Sequence, residues 1–408
     1  GVWVYQSTGS VTQFALISLF IYLPKIIVSP LAGALVDRWD RRLCMILSDS
    51  VAWLSTIFVM VLKFSGTLEV WHIYLAVAVN STFSSVQGPA YIAAIPQLVA
   101  VQNLGRANGM VQTTRALAKL IAPLLAGVLV GIIQIEGILA IDFITFFAAL
   151  GTLLSVRFPK LSHKDYAPSG TASIRQLLQE TISGWNYIAA RRGLLGLLML
   201  LGAINFTEGI LRVSFWPLVL SFASEKELGL ILSISGCGML LGSIAMSTWG
   251  GPKPRIYGIL AFVPLQGVML CLGGLQPSLI LAGIGAFGYL SAIPIIVSCN
   301  QTIWQSKIPL AWQGRIFALQ AMLENLLAII AYIATGPVVD YIFEPLMAKD
   351  GLLADSLGKI MGVGHGRGIG LLFVLVGMMN ILVTTIAYRT PRLRRVEKEL
   401  PDAIIEVY

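Results

Sequence analysis

Long apolar runs broken by short polar turns repeat from one end of the chain to the other. The first runs from Val11 to Val36 and the second from Leu43 to Leu62. Both are long enough to cross ~30 Å of hydrocarbon as helices. Similar runs lie at about Val70–Ile95, Arg106–Ile132, Gly137–Leu154, Leu194–Leu220, Leu228–Trp249, Ile256–Leu275, Ser278–Ser298, Arg315–Val338 and Gly368–Tyr388. Pro24 and Pro30 fall inside the first run, where neighbouring helices can satisfy the carbonyls that proline frees. Gly1–Gln6 would cover only ~9 Å of helix and reads as the outer end of a first helix largely missing from this sequence. With that helix the count becomes twelve.

The polar stretch from Arg157 to Arg192 is the long soluble segment between spans. Phe158–Thr171 has the Pro, Gly, Ser and Lys of a linker. Ser173 with Gln176 then forms a capping-box pattern, and Ile174, Leu177, Leu178, Ile182, Trp185 and Ile188 share one face. An amphipathic helix is expected there, on the inner membrane surface or against a partner. Val339–Arg367 reads as a long outer loop. The implied organisation is a first bundle over 1–155, a linker over 156–192, a second bundle over 193–390 and a tail over 391–408.

Composition agrees: 56% of the 408 residues are hydrophobic and 12% charged, the balance of a multi-pass membrane protein. The net charge of +8 is carried by the loops on one face. It therefore orients the chain, with that face and the C-terminus cytoplasmic in a plasma or inner membrane, and does not point to nucleic acid. Cys44, Cys237, Cys271 and Cys299 have no paired spacing, and His72, His163 and His365 are scattered. No disulfide, metal site or other cofactor is expected. A Gly-x-x-x-x-Gly-Lys loop is absent, so ATP does not drive the protein directly.

The two halves repeat. Gly33 and Gly242, Gly105-Arg106 and Gly314-Arg315, and Gly127 and Gly336 are each 209 residues apart, the mark of a parallel duplication of six helices. Charges within spans are the candidates for chemistry, since each costs ~2.5–3.5 kcal/mol at mid-membrane and survivors face a cavity or a partner. They are Lys25, Arg115, Lys119 and Arg212 against Asp49, Asp142, Glu208 and Glu324. Glu208 and Arg212 lie four apart and can pair locally. Lys119 and Asp142 have similar depths and are expected to pair. Asp49 can brace the charged loop after the first span. Lys25 and Glu324, at ~18 and ~14 Å from the inner face, are expected to pair across the bundles or, alternatively, Lys25 snorkels to the headgroups or pairs within its own bundle.

Gly33-Ala-Leu-Val-Asp-Arg-Trp-Asp-Arg-Arg42 resembles the loop signature of the major facilitator superfamily between its second and third helices. The family usually has glycine where this chain has Asp40, a departure that recurs among its drug and siderophore exporters. Ala122-Pro-Leu-Leu-Ala-Gly127 resembles the antiporter signature of the drug exporters with two glycines replaced by alanine. Leu31–Arg42, Gly88-Pro-Ala90, Gln301-Thr-Ile-Trp-Gln-Ser-Lys307 and Gln313-Gly-Arg-Ile-Phe317 look like the branch containing macrolide and enterobactin exporters.

The resemblance implies an all-α membrane fold of two six-helix bundles that rock around a central site. The gating loop would be Gly33, Asp37, Arg38, Arg41 and Arg42, with Asp37 at the start of the span that follows Gly314. Lys25, Arg115, Glu208 and Glu324 would couple charge or protons to motion. Asn80, Gln87, Asn205 and Tyr289, together with Ser291, would line the cavity. The implied function is export of an amphipathic small molecule of drug or siderophore type by proton antiport, with lipid as the other partner and no enzymatic activity. Import of a nutrient by the same fold, or a receptor or scaffold that has lost transport, are the alternatives.

Overall fold

The computed structural model describes residues 11–156 and 174–403. These form eleven long helices with no strand among the described residues: α1 (Val11–Arg38), α2 (Arg41–Phe64), α3 (Val70–Leu98), α4 (Leu104–Ser155), α5 (Ile174–Ala190), α6 (Arg192–Leu220), α7 (Glu225–Trp249), α8 (Ile256–Leu275), α9 (Leu279–Lys307), α10 (Gln313–Val338) and α11 (Arg367–Arg389). Seven described helical segments are long and apolar enough to cross a membrane. The all-helical membrane fold expected from the hydrophobic pattern is the fold observed. Outside the described residues lie Gly1–Gln6, the first half of the linker with Phe158–Thr171, Ser173 of the capping box and the end of the tail.

The first group of helices packs α2 and α1 on α3, and α4 on α2. In the second, α9 packs on α7 and α8, α8 on α11, and α6 on α10 and α11. Close approach in the second group depends on glycine. A Cβ at Gly377 would stand 2.5 Å from the Gly267 carbonyl oxygen and 2.7 Å from Cys271 Sγ, and one at Gly274 2.5 Å from the Gly370 carbonyl oxygen. Small residues at these points let α8 and α11 meet backbone to backbone, which replaces the hydrophobic drive that lipid removes.

The two spans expected over Arg106–Ile132 and Gly137–Leu154 share one unbroken helical assignment, α4. Its axis is not straight. Arg42 donates to the Leu154 carbonyl, Arg41 to Ala93, Gln305 to Ile92, and Asn108 to Gln305. That chain of contacts brings Leu154 and Asn108 to the same end of the molecule. A straight helix would set them ~69 Å apart, further than those side chains reach. The first limb runs antiparallel to α7, with Gly105 against Gly250 and Leu120 against Gly236. The second runs antiparallel to α2, with Phe146 stacked on Trp53 at 4.7 Å. The expected rise and fall are therefore kept, although local chemistry at Gln134–Gly137, with one glycine and no proline, does not end the helix.

The expected outer loop begins later than Val339. A π-helical turn over Val339–Phe343 and a further turn to Leu346 continue α10. Glu344 then accepts from the Gly366 and Ile369 amides and so caps α11. At the opposite, basic end the tail straps the second group. Buried Lys307 donates to the Glu397 and Leu400 carbonyls and pairs with Asp402, while Glu397 accepts from the Ile256 amide.

Gly377→Val should lower the melting temperature and the yield of monodisperse protein in detergent, by overpacking of about 1–3 kcal/mol. Gly88→Ala, where an added Cβ meets nothing within 4 Å, should be neutral or slightly stabilising. Equal melting temperatures for the two variants would contradict the α8–α11 contact.

Candidate functional site

Asp37 is the last acidic residue of α1, with its side chain wholly buried. Its Oδ1 accepts from the Gly314 amide at 2.6 Å, and its Oδ2 from the Arg315 amide at 3.1 Å and Arg315 Nε at 2.9 Å. Gly314 and Arg315 open α10, whose first-turn amides have no partner within the helix. The positive end of its dipole favours an anion there. Glycine is required at both contact points: a Cβ at Gly314 would stand 2.5 Å from Asp37 Oδ1, and one at Gly33 2.5 Å from Ala318 Cβ. Ser29 adds a bond to the Ala318 carbonyl at 3.1 Å.

The duplication makes a second seam from the equivalent helices, α7 and α4. There Gly105 lies against the Gly250 carbonyl and the Arg255 guanidinium, and Gly109 against Met246 and Ser247. Met246 occupies the position of Asp37 in the repeat. It is fully buried, so the second seam is closed by packing and the first by charge.

The arginines of the charged loop each take a different partner. Arg38 pairs with Glu180 of α5. Arg41 donates to the Ala93 carbonyl at 2.7 Å and, across the seam, to the Leu310 carbonyl at 2.5 Å. Arg42 donates to the Leu154 carbonyl. Asp40 caps α2 by accepting from the Arg42 and Leu43 amides, a role that glycine could not fill.

The amphipathic helix α5 does more than rest on a membrane surface. Thr181 donates to the Pro30 carbonyl of α1, Ser183 accepts from Arg315, and Tyr187 packs on Trp312 at 5.1 Å. Ile188 is fully buried, whereas Ile182 and Trp185 of the same face are 58% and 42% exposed. The helix thus bridges α1 and α10 at the basic end.

Further in lies a cavity of about 440 Å³ whose wall contains Arg115, Asn205, Glu208, Arg212, Tyr289 and Glu324. Glu208 and Arg212 pair at 2.5 Å. Glu324 takes its hydrogen bond from Gln320 at 3.1 Å. Gln112, Gln301, Asn325 and Tyr332 also line this space and were not singled out in the sequence. Gln112 lies one turn before Arg115, so helical spacing from that charge could have found it; Asn325, directly after Glu324, had no such signal. Ser291 donates to the Gly288 carbonyl within its own helix and is not part of this wall.

Four other expected residues, Lys25, Gln87, Asp49 and Asn80, are placed elsewhere. Lys25 has no ion pair with Glu324, and no partner among the described residues. Ala318 faces α1, and Glu324 follows it by six residues, about 240° around α10, so equal depth does not bring the two side chains together. Gln87 donates to Asp49 at 2.5 Å within the first group, and Asp49 therefore braces α3 and not the charged loop. Asn80 is exposed and outside the cavity wall. The side chains of Lys119, Asp142 and Ala122–Gly127 lie outside the described residues.

The profile of the Major Facilitator Superfamily matches residues 2–332. Macrolide efflux protein A of Streptococcus pyogenes is 26% identical over 347 residues, which cover 83% of this chain and 84% of that protein. The enterobactin exporter of Citrobacter koseri is 27% identical over 293 residues, 70% of this chain and 67% of the relative. Among solved structures, the human organic anion transporter MFSD10 superposes with a TM-score of 0.67 at 17% identity, covering 94% of this chain and 88% of its own. A bacterial homologue of the iron transporter ferroportin in an outward-facing state gives 0.65 at 14%, covering 93% and 91%. At these identities the structural likeness establishes the fold.

Removing one partner of a buried ion pair costs ~3–5 kcal/mol. Asp37→Asn should therefore open the basic end, read as a rise of several-fold or more in thiol-reagent labelling of a cysteine placed at Ala318. Glu180→Gln should give a smaller rise, because Arg38 can turn to water. Unchanged labelling in both variants would show that neither contact holds the seam.

Proposed function

The chain belongs to the Major Facilitator Superfamily, a family of membrane transporters that move small molecules, and from that premise we propose that it is a proton-coupled exporter of an amphipathic small molecule. The observation that carries this reading is the cavity wall itself: two acids and two arginines face a space between the bundles that is closed at the basic end by Asp37 and α10. Ionisable groups at such depth persist where they meet a cargo, an ion or each other. The direction of transport is supported by relatives whose names describe efflux and export.

In this cycle the contacts of Asp37, Arg41 and α5 hold the cytoplasmic side shut while the cavity faces out. Glu324 is the proton site. It has an amide as its hydrogen-bond partner and no ion pair among the described residues, so it gains and loses a proton without breaking a fixed pair. Glu208 and Arg212 exchange their mutual pairing for contact with cargo or with the charge change at Glu324. Protonation from the outside and deprotonation inside would then accompany each reversal of the bundles.

Everted membrane vesicles test the proposal. An inward-acid gradient should drive accumulation of an exported compound from a panel of amphipathic drugs and siderophores, and Asp37→Asn should abolish it with membrane insertion intact. Glu324→Gln should abolish gradient-driven accumulation while exchange of labelled for unlabelled cargo continues. Accumulation only in right-side-out vesicles would favour import. None in either orientation would leave a receptor or scaffold.

A further inference from the structure

The central cavity has a neighbour. A pocket of about 280 Å³ lies among α6, α7, α8 and α9, with Phe373 of α11 in its wall. Phe215, Trp216, Leu232, Met269 and Ala286 supply much of the remaining surface. Glu208, Arg212, Tyr289 and Ile293 line both spaces, so the two are adjoining chambers with an ion pair at the junction. The pair is open to solvent there, with side chains 31% and 54% exposed. The larger chamber is polar, with Arg115, Asn205, Asn300 and Glu324 in its wall beside that pair.

A single amphiphile would satisfy both chambers. Charged groups are costly to cover with apolar surface alone, and a hydroxyl-bearing group in the larger chamber would supply hydrogen bonds to Glu208 and Arg212. A dry cavity of ~150 Å³ accommodates one benzene ring, so the smaller chamber has room for about two rings. A purely polar cargo would leave it without an occupant, and a purely apolar one would leave the charges without polar partners. We propose that the apolar pocket is the arm subsite of a two-chamber binding site, taking a hydrophobic group of about two fused rings attached to a hydroxyl-bearing body in the central cavity. This rests on the reading of that cavity as the cargo site. It fixes which part of the cargo sits where, and places selection for arm size in α7 and α9, away from the groups assigned to the proton.

Binding, measured without transport, tests the arm subsite independently of export. The full chain in lipid nanodiscs is dialysed to equilibrium against 2-naphthyl β-D-glucoside and against methyl β-D-glucoside, with empty nanodiscs as the blank. Saturable binding of the naphthyl compound is expected, at least ~10-fold tighter than the methyl compound for the apolar area buried. Ala286→Phe and Leu232→Trp fill the pocket from two different helices, α9 and α7. Each should remove that preference, and either suffices if the other fails to fold. A preference that survives in a folded filled variant would mean that the arm dissolves in lipid or displaces an acyl chain, and would overturn the proposal. So would the absence of saturable naphthyl glucoside binding to the unaltered protein. An intact arm preference with no gradient-driven accumulation in vesicles would instead remove the export reading and leave the two chambers standing.

Discussion

Asp37 meets the first turn of α10 with both carboxylate oxygens engaged, and the other contacts of that seam gather close to it along α1. Gly33 and Ser29 lie one and two turns back, and Arg41 just beyond. A carboxylate taken this far from water would be costly alone. Two backbone amides, a guanidinium and the helix dipole offset that cost only while α10 keeps its position. The interaction is therefore conditional: strong when the bundles touch, and lost as a unit when they part. A contact of that kind favours two discrete arrangements over a continuum.

The duplicated seam shows how the same geometry can be closed by other means. Around Gly105 and Gly109 the helices approach as closely as around Gly314, but Met246 stands where Asp37 would be. Packing of this sort needs no bound water and no fixed protonation state. The closing of the basic end is thus shared between one ionic seam, sensitive to single substitutions, and one in which a packed methionine stands in the carboxylate's place and tolerates exchange of similar volumes.

Sequence made depth legible and left azimuth obscure. Counting residues from the charged loop placed Asp37, Arg115, Glu208 and Glu324 at useful heights, because 1.5 Å per residue holds in any helix. It matched Lys25 to Glu324 by height alone and missed the 240° between Glu324 and the face of α10 that meets α1. Gln87 failed similarly: one turn after Phe83, it lies on the face of α3 that meets α2, where Ser48 bonds the Phe83 carbonyl. Asp40, which departs from the usual glycine of the loop signature, became intelligible once its side chain was found capping α2. The bridging role of α5 had only an amphipathic pattern as its signal, and such a pattern fits a lipid surface or a protein one equally.

The position of α5 separates two properties that a transporter might have been obliged to change together. Its contacts to Arg38, Pro30 and Arg315 lie at the basic end, apart from the residues that line the two chambers. On the proposed cycle, substitutions there would alter how long each closed interval lasts, whereas substitutions around Ala286 or Gln301 would alter what is held during it. A lineage could retune the tempo of the cycle for a new membrane or temperature and keep its cargo, or adopt a new cargo without resetting its tempo.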